Sequence, residues 1–187
     1  MRPQILALSQ NGALHEWIEL EQAAHYYASE QVAWWRGEQE FVLRGGTQLA
    51  TGKRSELRIN SIIAIRGKDY AIRNQSHVPT LTKEMLLKRD RYTCAYCAQS
   101  FRTSMLDVEH IVPDSRGGAY SWTNLVASCK ACNDRKRDRT PEEAGMKLHY
   151  VPYVPNIFEE FILSGRKVLA DQMEFLKTGV PKHSRLL

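Results

Sequence analysis

No run of about 18 apolar residues occurs in this 187-residue chain, so a membrane-crossing helix is not expected. The opening stretch MRPQILALSQNG has too short an apolar run for a secretory signal, and no small-residue cleavage site follows it. A cytoplasmic protein with no membrane partner is the expectation. Residues 1–80 hold no repeat and no low-complexity tract. Cysteine is scarce: there are four, all between residues 94 and 132. With nothing pointing to secretion, a disulfide framework is not the expected use of them.

The charge is uneven. Residues 61–140 hold fourteen Lys and Arg against eight Asp and Glu, residues 1–60 six against seven, and residues 141–187 six of each. A basic segment attracts polyanions, of which nucleic acid is the commonest; a solvated basic face is the plainer alternative. The cysteines lie in that same segment. Cys94 and Cys97 form one C-x2-C pair, 31 residues follow, and Cys129 and Cys132 form the second. Two such knuckles, each presenting two thiolates from one tight turn, are the usual frame of a tetrahedral structural zinc site. A redox pair would need only one of them.

Three parts are expected: a small α+β domain over 1–80, a motif-bearing module over 81–150, and a helical segment over 151–187. In the first, QILALS and LRINSIIAIRG read as strands. ELEQAAHYYASE reads as a helix with Leu20, Ala23, Ala24 and Tyr27 on one stripe, and RGGTQLATGKRSE as a turn-rich loop. Residues 74–80 make a linker. In the second part TKEMLLKRD is a short helix capped by Thr82, MLDVEHIV and NLVAS are strands, and NDRKRD opens a basic helix. TPEEAGM should start another helix, with Thr140 and Glu143 as a capping box. In the third part, apolar residues recur at helical spacing on both sides of a break at Gly165. Trp34, Trp35 and Trp122 are expected in the core.

The stretch from about Tyr92 to Met146, with its two C-x2-C pairs, VEHIVPDSRGG, TNLVASC and CNDRKRDRTPEEA, resembles the HNH endonucleases in their zinc-stapled, four-cysteine form. That resemblance implies a ββα-metal fold and DNA phosphodiester hydrolysis. It implies His110 as the general base, Glu109 and Asn133 as ligands of a catalytic divalent ion, Asn124 as the residue fixing the loop and the histidine, and Lys136 at a basic position that can face the scissile phosphate. Glu109 stands where Asp is commoner, and Asn133 where the name-giving last His often is. Residues before 80 more weakly resemble a leader domain on some bacterial HNH proteins, through ILALS, AAHYYASEQVAWW and INSIIAI.

The chemistry suits these residue types. Phosphodiester hydrolysis needs an in-line nucleophile and a sink for negative charge. An imidazole, with an ordinary pKa of about 6.5, can take a proton from water. Hard oxygen ligands without a second imidazole favour Mg2+ or Mn2+ over zinc. In a strand, Glu109 and His110 point to opposite faces. Arg116, Lys130, Arg135, Arg137 and Arg139 are candidate backbone contacts to DNA, expected to be double-stranded; such contacts position a duplex without reading it. No small-molecule cofactor is expected. His15, His25, His77, His149 and His183 have no ligand spacing among themselves. Two other readings stand beside the nuclease: a catalytically weak or inactive zinc-stapled nucleic-acid-binding module, motivated by Glu109 and Asn133, and a zinc-dependent interaction protein working through residues 1–80.

Overall fold

In the computed structural model, residues 3–47, 49–67, 78–182 and 184–187 are described. The fold is α+β and divides into two compact units: residues 1–77 with 164–180, and residues 78–163 with 181–187. The stretch 151–187 is thus shared between the units, α4 (Ile157–Ser164) lying almost wholly in the second and α5 (Ala170–Lys177) in the first. An amphipathic pattern says that a helix needs an apolar surface, not which surface. Gly165 lies in the break between the two helices.

The first unit is a four-stranded sheet in the order β2-β1-β4-β3, with α1 (Leu20–Ala28) against it. Its strands are β1 (Ile5–Ser9), β2 (Leu14–Ile18), β3 (Val32–Thr47) and β4 (Arg54–Ile65). β1 runs parallel to β4; the other pairs are antiparallel. Ile5, Ala7, Ile59, Ile63 and Ile65 bury one face with Ile18 and Ala23, and Leu20, Ala24 and Tyr27 of the expected stripe pack on that cluster. Leu6, Leu8, Ile62 and Ala64, alternating with them, are buried as well. α5 is tied to β4 by Gln172, whose Nε2 donates to the carbonyls of Gln4 and Ser61 at 2.8 Å. Asp171 accepts from Ser61 Oγ at 2.5 Å and from the Gln39 amide at 3.0 Å.

Two expectations for this unit fail. The stretch 44–56 is not simply a loop: β3 continues to Thr47 and β4 starts at Arg54, so only the end of a long hairpin turns. Gly45 and Gly46, which read as turn residues, sit in a bulge where β3 carries one extra residue between the pairs Arg44↔Glu56 and Thr47↔Arg54. Trp35 is 57% exposed, since a strand alternates its faces and an isolated aromatic gives no sign of which face it takes. The linker expected over 74–80 falls mostly on residues outside those described, as do His77 and His183.

The second unit is built on α2 (Lys83–Arg89), the hairpin β5 (Leu106–His110) with β6 (Leu125–Cys129), and α3 (Lys130–Lys136). Thr82 caps α2 as expected, its Oγ1 accepting the Met85 amide at 3.2 Å. Leu86, Leu87, Leu106, Trp122, Leu125, Val126 and Ala127 form the core with Cys94, Tyr96 and Cys129. Arg89 and Asp90 lie fully buried inside it. At the far end, Glu159 and Asn156 cap α4 reciprocally, at 2.9 and 3.0 Å, and Ser184 donates to Glu159 at 2.6 Å, holding the chain end. The basic helix starts earlier than expected, at Lys130, and stops at Lys136 because Arg137 takes a positive φ of 54°. TPEEAGM forms a single turn, not a helix. The Thr140–Glu143 box is made, with the Thr140 amide on Glu143 at 3.0 Å, but Gly145 turns left-handed at φ 61° and ends it.

Candidate metal centre and active site

The first knuckle is a tight hairpin. The Cys94 amide donates to the Gln99 carbonyl at 2.9 Å, the Ala98 amide donates to the Cys94 carbonyl at 3.0 Å, and Ala98 takes φ 57° to close the turn. The second knuckle straddles a junction: Cys129 ends β6 and Cys132 sits in the first turn of α3. The four thiol sulfurs all lie within 4.8 Å of one another. Zinc–sulfur bonds of about 2.3 Å put tetrahedral sulfurs about 3.8 Å apart, so the cluster fits a four-thiolate zinc with little adjustment. The thiols fit electrostatically too. Burial opposes ionisation of Cys94, but hydrogen bonds from the backbone of Cys129, Cys97 and Tyr96 outweigh it and bring the thiol down to about 7. Cys97 and Cys132 are pushed up, first by burial and then by the neighbouring sulfurs. The Cys94 thiolate forms readily, and ionisation of Cys97 and Cys132 is favoured once a cation offsets the crowding.

The staple at Cys129 and Cys132 joins β6 to the start of α3; Glu109 meets the other end of that helix, and His110 and Asn124 lie at the end of the hairpin away from Cys129. Glu109 pairs across the hairpin with Val126 and His110 with Leu125, so the two side chains lie on opposite faces of the ribbon. Glu109 meets α3: Lys136 Nζ donates to Glu109 Oε1 at 2.7 Å, with Lys136 wholly buried and the Glu109 side chain only 13% exposed. The Lys136 ammonium therefore faces a carboxylate and not solvent. Asn133 lies three residues before Lys136 on α3, about one helical turn away, and is half-buried. Tyr96 is buried nearby without a hydrogen-bond partner for its hydroxyl among the described residues. Burial raises its pKa first, and the charge of Glu109 adds to that.

His110 is half-buried at the end of β5, its ring 6.1 Å from that of Tyr120 and tilted by 58°. The chain beyond it is gripped by Asn124. Asn124 Oδ1 accepts the Val112 amide at 3.0 Å, and its Nδ2 donates to the carbonyls of Val112 (3.1 Å) and Ala119 (3.0 Å). The Asn124 carbonyl also accepts the Ile111 amide at 2.8 Å. Three side-chain hydrogen bonds and one from the backbone thus close the loop that leaves His110. Gly118 completes the grip: a Cβ there would lie 1.8 Å from the Val112 oxygen. Gly118→Ala is expected to prise that loop open and lower stability by about 1–3 kcal/mol, as overpacking does. A thermal melt within error of the parent would show that the loop yields freely.

The basic candidates separate. Lys130, Arg135 and Arg137 are exposed on and just beyond α3. Arg139 folds back, its Nη2 donating to the Arg135 carbonyl at 2.6 Å and its Nε to the Lys136 carbonyl at 3.3 Å, and so caps the helix end. Arg116 makes a two-pronged pair with Glu143 at 2.8 and 2.6 Å. Sequence reasoning passed over Glu143 as a charge partner, Tyr120 as a neighbour of His110, and Arg89. Spacing signals none of these contacts, because each joins separate elements.

A zinc-stapled ββα unit is what these elements define. Residues 94–149 match the family model for HNH endonucleases. That match covers the zinc-stapled hairpin and α3, and less than a third of the chain. The crystal structure of the type II-C Cas9 enzyme from Actinomyces naeslundii is similar at 21% identity over 57% of this chain, with a TM-score of 0.30; the chain spans 13% of that enzyme's length. No curated protein matches the chain. No helix among the described residues is long and apolar enough to cross a membrane.

Proposed function

We propose that this protein is a metal-dependent endonuclease that hydrolyses phosphodiester bonds of double-stranded DNA. The observation that carries this reading is the loop that leaves His110: Asn124 fixes it, while Glu109, the residue before His110 on β5, lies against α3, the helix that carries Asn133. His110 is held at a strand end whose next residues cannot drift, so its imidazole can accept a proton from water placed in line with the scissile bond. Glu109 Oε1 is occupied by Lys136; Oε2 and the Asn133 side-chain oxygen are the ligands for a hard divalent ion, Mg2+ or Mn2+. Bound there, such an ion polarises the phosphate and stabilises the departing oxygen. Lys136 orients the Glu109 carboxylate. Lys130, Arg135 and Arg137 supply exposed charge for the backbone, and Arg116 can join them by releasing Glu143.

The second reading is a zinc-stapled module that binds nucleic acid and cuts weakly or not at all. The Lys136–Glu109 pair favours it, since a protein cation already sits on the one carboxylate proposed to hold the metal. Plasmid cleavage by zinc-loaded protein with Mg2+ or Mn2+, wild type beside His110→Ala, separates the two. The nuclease reading expects the variant to lose at least about 100-fold in rate, the usual worth of a general base, while zinc content and melting temperature hold. Equal cutting by both proteins would remove His110 from the mechanism. Duplex binding without cutting by either would leave the binding module.

A further inference from the structure

The β3–β4 hairpin outruns the sheet it belongs to. β1 pairs with β4 only over Ile62–Ile65, so residues 54–60 have β3 as their sole strand partner among the described residues. Six residues from Arg54 to Ile59, at about 3.3 Å each, carry the ribbon about 20 Å past the part of β4 that pairs with β1. Phe41, Leu43 and Leu57 still pack on the core, but from Arg44 to Glu56 every described residue is exposed.

Charge on the ribbon is segregated. The first sixty residues hold seven acids, yet none lies between Glu40 and Glu56. The same interval contains Arg44, Lys53 and Arg54. Arg44 is paired with Glu56 at 3.2 Å, which leaves Lys53 and Arg54 as the cations of the tip. The tip is also built to a shape. Arg54 Nε donates to the Gly45 carbonyl at 3.1 Å and Ser55 Oγ to the Gly46 carbonyl at 3.2 Å, bracing the bulge. Gly46 at the bulge faces open space, so a phosphate can come close to the backbone there, while Ser55 covers Gly45. Strand addition is a poor alternative use, because β3 is interrupted by three register shifts and carries charges, both of which blunt an edge.

We infer that the β3–β4 ribbon is a second DNA contact, its basic tip entering the major groove of a duplex with Lys53 and Arg54 on the flanking phosphates. B-form DNA has a major groove about 12 Å wide that admits a two-stranded ribbon, whereas the major groove of A-form RNA is too narrow and deep. The inference rests on the nucleic-acid reading above and deepens it, giving the first unit a part in holding substrate.

The test uses the full zinc-loaded chain with His110→Ala, so that the duplex is not cut. Its affinity for a 30-base-pair DNA duplex is titrated against salt by fluorescence anisotropy, alone and with Lys53→Gln and Arg54→Gln added. Each lost phosphate contact lowers the slope of log K against log salt by about 0.9, so the added pair should lower it by about two and weaken binding about tenfold or more at physiological salt. Arg54→Lys keeps the charge and gives up the Gly45 contact; with Lys53 intact it should bind like the parent. Loss in Arg54→Lys equal to that in Arg54→Gln would make the residue a structural brace and overturn the inference. So would an unchanged slope in the double variant while the parent binds. Equal loss on an RNA duplex would overturn the groove assignment. A parent that binds no duplex at all would bring down the nucleic-acid reading itself.

Discussion

Cys132→Ala is expected to release the metal and unfold the unit formed by residues 78–163. Four sulfurs within 4.8 Å tie the first knuckle to the β6–α3 junction, and two of them, Cys94 and Cys129, are buried members of the core itself. A structural zinc contributes an apparent 10–16 kcal/mol, of order, to small domains that depend on it. That is comparable to the whole stability of a domain, about 5–15 kcal/mol. Three remaining thiols would bind far less tightly, and α3, seven residues long, is well short of the length at which a helix persists alone. Metal analysis should fall from one zinc per chain to near none, and the cooperative melt of this unit should disappear. A strong chelator added to wild type should reproduce both effects. A variant that melts with its parent would show that the apolar core suffices without the staple.

The second large effect is predicted for Arg89→Met. Arg89 is fully buried and spends its guanidinium on four groups. It meets Asp90 at 2.8 and 3.1 Å, the Trp122 carbonyl at 2.6 Å, the Leu125 carbonyl at 2.8 Å and the Tyr153 carbonyl at 3.1 Å. Its charge lies over the rings of Trp122 and Tyr153, at 5.4 and 5.8 Å. Asp90 in turn accepts the Ala127 amide at 2.8 Å. Methionine fills similar space but leaves a buried carboxylate and three carbonyls without their donor. Breaking a buried pair from one side costs about 3–5 kcal/mol, and urea unfolding should show a loss of that size. Arg89→Met with Asp90→Asn removes the stranded charge and should recover part of it, the coupling that a double-mutant cycle measures. A single-variant loss under about 1 kcal/mol would mean that water reaches the site and that the network is not buried in solution. The contacts to Trp122 and Leu125 bracket Asn124, so the same change should also loosen the loop that leaves His110.

What the sequence made legible was local. Both knuckles, β5, β6, α2 with its Thr82 cap, and the break at Gly165 follow from short-range spacing, turn chemistry or an N-cap. Each of those signals operates within a few residues. The candidate site was legible as an ordered set of residue types, because Glu109 and His110 lie on β5, Asn124 just before β6 and Asn133 on the helix that follows. What remained hidden depends on partners far along the chain. Arg89 finds carbonyls 33 to 64 residues away. Lys136 turned out to face Glu109, 27 residues before it, and periodicity cannot say that a lysine on a seven-residue helix points inward. The ribbon from 44 to 56 was obscured because the residues that make a strand bulge also make turns. Thr140 and Glu143 formed their box, yet Gly145 left no room for a helix to follow.

The staple also sets an order of events during synthesis. Cys94 and Cys97 leave the ribosome first, and 31 residues must be added before Cys129 appears. At 5–20 residues per second, that is roughly 2–6 seconds. Through that interval the first knuckle stands as two open thiols, and β5 has no β6 to pair with. An oxidant encountered then would join the pair and close the frame before its other half arrives. Yield of folded protein should therefore depend on how reducing the surroundings are while the chain is being made, and hardly at all once it is finished.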